Sequence, residues 1–155
     1  MNSKQLNHSL ISGAGGAIGI FLLSLFTIGT GSPLLMAPFG ASCVLLFAVP
    51  DSPLSQPKNV IGGHFISALV GVVFVSLWPA SPIVLSLAVA VAIFLMVIFK
   101  VTHPPAGADP IVILIGAKGF SFLLFPVLSG SILLVLIAYV FHRLTAQHKY
   151  PKVIK

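Results

Sequence analysis

Charged side chains are scarce in this chain. They make up 6% of its 155 residues, whereas a soluble globular domain carries roughly 25%. Only two are acidic, Asp51 and Asp109, while hydrophobic residues make up 57% and the mean hydropathy is +1.14. This composition excludes a soluble globular domain and predicts a protein embedded in a lipid bilayer.

Cysteine is almost absent as well. Cys43 stands alone, so an intrachain disulfide is excluded, and its apolar neighbours predict a small buried side chain. The five histidines are scattered along the chain and there are only two carboxylates, which argues against a metal site. No nucleophile and base stand in a recognisable arrangement. We therefore expect no enzyme activity, no metal and no cofactor.

Positive charge outweighs negative charge and gathers near one end of the chain. The formal net charge is +6, and four of the eight Lys and Arg residues lie in the last thirteen positions. Such a tail follows the positive-inside rule, with attraction to anionic lipid, and a nucleic-acid partner is not expected. The first apolar run is Gly-rich and long enough to remain as a helix, so we expect no cleavable signal peptide. We predict a multi-pass protein of the cytoplasmic or inner membrane with both termini cytoplasmic.

Six apolar runs follow one another. An ordinary span needs roughly twenty residues, and four runs come close to this length, at positions 10–28, 60–78, 83–99 and 120–141. The other two are short and broken by proline and glycine. They are 34–49 and the stretch from Thr102 through three prolines to Ile115. Positions 50–59 are predicted to form an ordered loop, and positions 142–155 a frayed basic tail.

The two short runs share a pattern. Pro38-Phe39-Gly40-Ala41-Ser42 reads in parallel with Pro105-Ala106-Gly107-Ala108-Asp109, at a constant offset of 67 positions. Gly63 and Gly130 keep the same offset. This predicts an internal duplication with halves of approximately 10–78 and 80–142. Short segments interrupted by Pro and Gly at matching places in two halves are typical of transporter binding sites.

The basic residues favour six crossings over four. If both short runs cross the bilayer, Lys118 lies on one face and the other seven Lys and Arg residues lie on the opposite face. If both are re-entrant, the split is five against three. We therefore predict an all-α integral membrane protein, a single transmembrane domain over 1–155, with about six membrane segments built as two inverted repeats. Four spans plus two re-entrant half-helices remain the alternative, because the second short run has only about a dozen residues.

Several sequence blocks resemble the HPP family of small integral membrane proteins. They are His103-Pro104-Pro105, Phe39-Gly40-Ala41-Ser42, Asp51-Ser52-Pro53-Leu54, Gln56-Pro57-Lys58-Asn59 and Gly62-Gly63-His64. Together they extend over nearly the whole chain. Members of the family are described as four-spanning, and those in plastids and cyanobacteria are associated with nitrite transport. The resemblance implies an anion permease, and the lack of a long N-terminal extension implies a bacterial one.

A nitrite permease must replace the hydration shell of a small anion with hydrogen-bond donors. Helix N-termini offer free amides and a positive dipole end, and we expect Pro38 and the pair Pro104-Pro105 each to open a half-helix. The amides expected to converge on the anion are those of Gly40, Ala41, Gly107 and Ala108. Ser42 is expected to add a hydroxyl, and Lys58 and Lys100 to attract anions at the mouth.

His103 and His64 are the candidate titratable groups of this site. An imidazole, with a reference pKa of about 6.5, adds a positive charge beside an anion when it is protonated. Proton–anion symport and delivery of neutral nitrous acid both remain open. We rank His103 first because it directly precedes the two prolines, and we expect a packing role for His64.

Asp109 does not suit a simple anion site, because a carboxylate repels a bound anion. We expect it to cap backbone amides locally, as Ser42 would at the matching place of the other half. Protonation by desolvation, or pairing with Lys100 or Lys118, are the alternatives.

A second class of function also stays open, namely a non-transporting membrane partner or sensor subunit. A transporter needs a continuous polar path through the two Pro/Gly stretches, whereas a packing subunit fills that space with side chains. The expected partners are a small inorganic anion and the lipid bilayer, and the sequence is also compatible with a homo-oligomer.

Overall fold

A computed structural model describes residues 2–146 and 148–152, and within these ranges every regular element is helical. Six helical segments follow in order: α1 Ser3–Thr30, α2 Pro38–Ala48, α3 Pro57–Leu77, α4 Pro82–Ile98, α5 Pro104–Ile115 and α6 Leu123–Thr145. Helices α1, α3 and α6 are long and apolar enough to cross a bilayer, and the other three are shorter. The predicted helical membrane bundle with short second and fifth segments is confirmed.

Proline begins four of the six segments, α2 to α5. Its fixed φ suits the first helical turn, and the amide that it lacks has no partner to bond there. Helix α1 instead begins with a capping side chain, since Asn2 Oδ1 accepts the Lys4 amide at 3.0 Å. For this reason α1 starts at Ser3 and includes polar residues that precede the predicted run.

The two short segments are irregular. The last turn of α2 is a π-helix, Val44–Ala48, and α5 opens as a 3-10 helix, Pro104–Ala108, before it continues as an α-helix. Eleven or twelve residues at 1.5 Å each reach roughly 17 Å, about half of a hydrocarbon core. Non-helical residues 31–37 and 99–103 supply the remaining length.

Residues near both chain termini lie at one end of the bundle. His8 Nε2 donates to the Ala48 carbonyl at 3.1 Å, and the His8 and His148 rings are 5.8 Å apart. Because α1 leaves this end and α3 starts from it, residues 31–49 must traverse the bundle. The same reasoning carries residues 99–122 back across it, since α4 and α6 both finish at this end. The chain thus traverses the bundle six times, which favours the six-segment prediction over four spans.

Reciprocal packing joins the two halves at matching glycines. A Cβ added at Gly130 would lie 2.5 Å from the Leu34 carbonyl oxygen, and one added at Gly63 would lie 2.9 Å from the Val101 carbonyl oxygen. Leu34 and Val101 are themselves 67 positions apart, as are the two glycines. Each long helix is therefore crossed by the broken segment of the other half, and only glycine leaves room for the backbone there.

Helix α3 is the central element. Its Gly71 lies so close to α5 that a Cβ would sit 2.9 Å from Pro110 Cα. Its Val70 packs in one cluster with the small buried residues Ala88 and Ala92 of α4. Small residues allow such close approach between membrane helices. The outer surfaces of the bundle carry exposed apolar side chains suited to lipid contact, among them Phe21, Ile83, Phe94 and Leu144.

The segment after α6 is not frayed as predicted but packs against the loop at 50–56. The Tyr150 hydroxyl donates to the Ser55 carbonyl at 3.0 Å, and the Lys152 amide donates to Gln56 Oε1 at 2.8 Å. The Asp51 carboxylate lies 3.0 Å from Lys152 Nζ and 3.2 Å from His148 Nδ1. The prediction of a frayed tail is wrong for the described residues up to 152, and Gln147 and the last three positions lie outside them.

Candidate functional site

Four polar side chains meet at the centre of the bundle. Ser42, His64, His103 and Asp109 each have 0% exposed surface. They come from α2, from α3, from the residue before α5 and from the start of the α-helical part of α5. Polar groups at this depth must find partners within the protein. Their convergence makes this buried polar cluster the candidate site.

The cluster is a linear chain of hydrogen bonds. His103 Nδ1 lies 2.8 Å from the Leu54 carbonyl oxygen, and His103 Nε2 lies 2.8 Å from Ser42 Oγ. Ser42 Oγ is also 2.9 Å from His64 Nε2, and His64 Nδ1 is 2.8 Å from Asp109 Oδ2. All four separations are within the range of ordinary hydrogen bonds. Ser42 thus stands in the middle, with one imidazole on each side.

The Leu54 carbonyl decides which nitrogens carry hydrogen. A carbonyl only accepts, so His103 Nδ1 must donate, and in the neutral ring His103 Nε2 must then accept from Ser42. The Ser42 hydroxyl has a single hydrogen, so His64 Nε2 must donate to Ser42 Oγ. The proton between His64 Nδ1 and Asp109 Oδ2 then belongs to a protonated Asp109 or to an imidazolium–carboxylate pair.

Local packing fixes the two imidazoles. A Cβ at Gly63 would lie 2.7 Å from His103 Cβ, so glycine is needed where His103 crosses α3. The Phe39 ring meets His64 edge-on, with centroids 5.1 Å apart. On the next turn of α3, the Ser67 hydroxyl donates to the Ala106 carbonyl at 2.6 Å and ties the first turn of α5 to α3.

Asp109 does not act as the predicted helix cap. Its carboxyl bonds His64, and its other oxygen, Oδ1, is buried with no hydrogen-bond partner in the described part of the chain. Ser42 likewise caps no amide, and its longer contact runs to the Pro38 carbonyl at 3.4 Å. The local capping prediction is wrong because each side chain finds a tertiary partner in α3. The lysines proposed as alternative partners are exposed, whereas Asp109 is buried.

A basic depression of about 520 Å³ lies at the end of the bundle that carries both terminal segments. Lys58, Lys100 and Lys152 all line it. Lys100, two residues after the end of α4, lies in the left-handed region, with φ of 54°, which turns the chain toward His103. From the rim, Asn59 Nδ2 donates to the Thr102 carbonyl at 2.9 Å. The depression is therefore linked by one direct hydrogen bond to the residue that precedes His103.

None of the predicted backbone donors is hydrogen-bonded to the buried cluster in the described part of the chain. Gly40 and Ala41 are exposed, whereas Gly107 and Ala108 are partly buried. The Gly40 amide donates to the Ala37 carbonyl at 3.1 Å, so it is already bonded. The two stretches do meet along an apolar cleft of about 390 Å³, which is lined by Ala41, Val44, Leu45, Pro104 and Pro105. The centre of the site is accordingly made of side chains.

Sequence reasoning missed three contributors to the site. The Leu54 carbonyl and the Asn59 side chain both belong to positions 50–59, which were predicted only as an ordered loop. Asn59, a polar residue in the first turn of a long apolar helix, gave a signal, whereas the Leu54 carbonyl is a backbone atom and gave none. Ser67 carried no such signal, because a serine on an apolar helix usually bonds its own backbone.

These features define a polytopic helical membrane protein with a buried polar centre. The chain belongs to the HPP family, whose transmembrane region matches residues 1–151. It is similar to two transmembrane proteins of Dictyostelium discoideum. One is 37% identical over 145 residues, which cover 86% of this chain and 51% of the relative. The other is 36% identical over 146 residues, which cover 86% and 47%.

The chain thus spans about half the length of the curated relatives that it matches. No solved structure matches it significantly.

Proposed function

We propose that this protein is a permease for a small inorganic anion, with nitrite as the first candidate. The observation that carries the proposal is the fully buried chain from His103 to Asp109, placed where two broken helical segments cross the bundle. Ionisable groups at membrane depth are costly and usually mark a pathway for an ion or a proton. Broken segments at matching places of two repeats support the same reading.

Electrostatics at the bundle end suit an anion. Lys58, Lys100 and Lys152 surround the depression and raise the local concentration of anions. Thr102, whose carbonyl accepts a hydrogen bond from Asn59 of the depression, directly precedes His103. His103 supplies a positive charge for the anion when it is protonated.

The orientation that we propose places the basic end in the cytoplasm. Both terminal segments, Lys58 and Lys100 share that end of the bundle, as the positive-inside rule requires. In a Cys43→Ala background, Lys58→Cys and Lys100→Cys should react with a membrane-impermeant maleimide only from the cytoplasmic side of the bacterial inner membrane. Labelling of Lys58→Cys from the periplasmic side would show that the protein has the opposite orientation.

The order Ser42, His64, Asp109 matches that of a hydrolase triad. However, the Ser42 hydroxyl is fully buried and also bonded by His103, so a substrate carbonyl has no access to it. We therefore propose transport and no hydrolytic activity.

Nitrite uptake into proteoliposomes tests the proposal. Purified parent protein should accumulate isotope-labelled nitrite faster than empty liposomes, and His103→Ala should lose most of this uptake. His148→Ala is a matched control, because His148 lies outside the buried cluster. The proposal of nitrite transport is wrong if vesicles with the parent protein take up nitrite no faster than empty vesicles at every pH from 5.5 to 8.

One observation favours a second candidate, a non-transporting membrane partner or sensor subunit. The polar cluster is completely enclosed by packed side chains, as expected where a polar core specifies a structure and does not form a path. If this second candidate is right, the parent protein takes up no nitrite and His103→Ala lowers only the melting temperature. Nitrite uptake and thermal unfolding, measured on the same preparations, therefore separate the two candidates.

A further inference from the structure

We propose that Asp109, His64, Ser42 and His103 form a proton relay through the centre of the bundle, and that the proton is the ion coupled to anion passage. The coupling rests on the proposed function. The relay itself rests only on hydrogen-bond geometry, so the two can fail separately.

The chain has two complete arrangements with the same number of protons. In the first, Asp109 is protonated and donates to His64 Nδ1, His64 Nε2 donates to Ser42, and Ser42 donates to His103 Nε2. In the second, the Asp109 proton has moved to His64 Nδ1, the His64 Nε2 proton to Ser42 Oγ, and the Ser42 proton to His103 Nε2. No heavy-atom bond changes, and the products are an Asp109 carboxylate and a His103 imidazolium.

Every group keeps a suitable partner in both arrangements. The Leu54 carbonyl accepts from His103 Nδ1 throughout, and only the three bonds between Asp109 and His103 reverse direction. Each of these three bonds is 2.8 or 2.9 Å long, so no side chain needs to move for a proton to pass. An intact hydrogen-bond chain in an apolar interior also polarises cooperatively.

The two ends of the relay face different ends of the bundle. His103 is tied to Leu54 and follows Thr102, next to the lysine-lined depression. Asp109 opens the α-helical part of α5, which runs toward the end that carries Lys118. Its Oδ1 atom accepts no hydrogen bond within the described chain, so this end of the relay has an oxygen through which it can exchange a proton.

A full cycle balances. One proton and one nitrite cross together from the lysine-lined depression to the end that carries Lys118. His103 takes a proton on the depression side, the three bonds reverse from the second arrangement to the first, and Asp109 releases a proton at the opposite end as the anion passes. The Ser42 hydroxyl and the His64 ring then turn to restore the starting arrangement, so no net charge is carried through the hydrocarbon layer.

No other titratable side chain in the described residues bonds to the relay. His64 faces it from α3, His103 from the segment before α5, and Asp109 from α5 itself. Cys43, the neighbour of Ser42, packs toward Gly19 of α1, where a Cβ would lie 3.5 Å from its sulfur. Lys58 and Lys100 are exposed at the depression and set only the potential at one end.

Ser42→Ala breaks the relay and leaves the two flanking bonds, His103 to Leu54 and His64 to Asp109, in place. Ser131→Ala is the matched control, because it removes another fully buried serine hydroxyl, which bonds the Leu128 carbonyl of its own helix and does not touch the relay. Asp109→Asn is the second variant: its amide donates to His64 Nδ1 as a protonated carboxyl does, but it cannot release a proton.

The experiment uses proteoliposomes of full-length protein with a pH-sensitive dye inside and a nitrite gradient across the membrane. Nitrite and proton uptake are recorded together. Ser42→Ala and Asp109→Asn should each slow proton-coupled uptake by at least about tenfold, on the scale of a lost proton-transfer group. Ser131→Ala should retain the parent rate. In parallel, ¹⁵N NMR of labelled histidines in detergent should show His103 protonated at Nδ1 and His64 protonated at Nε2.

The outcomes are separable. If the parent protein takes up no nitrite, the proposed function fails, and the histidine spectra alone decide the relay. If Ser42→Ala, shown to be folded by its melting temperature, carries protons at the parent rate, the relay is overturned. A His103 ring protonated only at Nε2 would also overturn it, since the Leu54 carbonyl would then have no donor.

Discussion

Ser42 and Asp109, which occupy matching positions of the two repeats, bind opposite nitrogens of one imidazole, that of His64. The two repeats therefore place different chemical groups at matching positions. The position that matches His64 in the second half is Ser131, whose hydroxyl bonds the Leu128 carbonyl in its own helix. One histidine thus serves both halves, and a hydroxyl on one side with a carboxyl on the other gives the hydrogen-bond chain a direction.

Adding a methyl group at either crossing glycine should destabilise the bundle. Gly130→Ala pushes a Cβ against the Leu34 carbonyl and the Phe39 ring, and Gly63→Ala pushes one against Val101 and His103. Backbone cannot move aside as a side chain can, so we expect losses of about 1–3 kcal/mol each. Thermal unfolding in detergent measures the effect.

Gly13→Ala is the control for both substitutions. A Cβ at Gly13 meets no atom within 4 Å, and the residue lies inside α1. Alanine in a helix interior is favoured over glycine by roughly 0.5–1 kcal/mol, so this variant should match or exceed the parent. If Gly63→Ala and Gly130→Ala melt at the same temperature as Gly13→Ala, the close crossing of the two halves is incorrect.

Neutralising the basic depression should weaken anion capture without slowing turnover. Lys58→Gln and Lys100→Gln each remove one of its cations, so the KM for nitrite uptake should rise several-fold with kcat nearly unchanged. The difference from the parent should shrink at high ionic strength, because salt screens exposed charges. Lys118→Gln, in the connection at the opposite end of the bundle, should leave KM at low salt as it is. Equal effects of all three substitutions would point to net charge and not to this depression.

The attachment of the terminal segment should weaken in acid. The hydrogen bond from Lys152 holds the pKa of the Asp51 carboxyl below its ordinary value, and His148 also lowers it. A lowered pKa means that the carboxylate stabilises the attachment above the ordinary value of about 3.9, and that this contribution is lost as pH falls through the folded value. The pair is exposed, so the effect is small. It is measured by the mobility of a spin label on Lys149→Cys in a Cys43→Ala background.

Asp51→Asn provides the reference for that measurement. It should show the mobile signal at neutral pH and little further change between pH 6 and pH 3. Tyr150→Phe removes the hydrogen bond to the Ser55 carbonyl and should add mobility at every pH. Overlapping titrations of the parent and Asp51→Asn would mean that this carboxylate does not hold the segment.

The segments themselves were predictable from sequence, because each is a long apolar run or a run broken by proline. The predicted span at 83–99 differs from α4 by one residue at each end, and the predicted span at 60–78 differs from α3 by a few. The offset of 67 was also informative, since it maps 38–48 onto 105–115 and 57–77 onto 124–144. These features depend on local propensity and on hydrophobicity, both of which a single sequence carries.

The partners of the polar side chains were not predictable in this way. Asp109 fits a local capping role by its residue type, but its bond to His64 crosses 45 positions of sequence. The Leu54 carbonyl that orients His103 is a backbone atom and leaves no mark in residue identity. The packing of Tyr150 against Ser55 joins residues 95 positions apart. Such contacts are set by helix packing, which decides among several locally acceptable partners.

The reciprocal crossing at Gly63 and Gly130 also imposes an order on biosynthesis. The ribosome releases α1 to α3 first, when the Val101 backbone that covers Gly63 and the carboxyl that pairs with His64 have not yet been made. Until then, the first three segments lie in the bilayer with the surface of α3 at Gly63 uncovered and the His64 imidazole without its carboxyl partner. Insertion of α4 to α6 supplies both the Val101 backbone and the Asp109 carboxyl. A chain truncated after α3 is therefore expected to remain a substrate for membrane quality-control proteases.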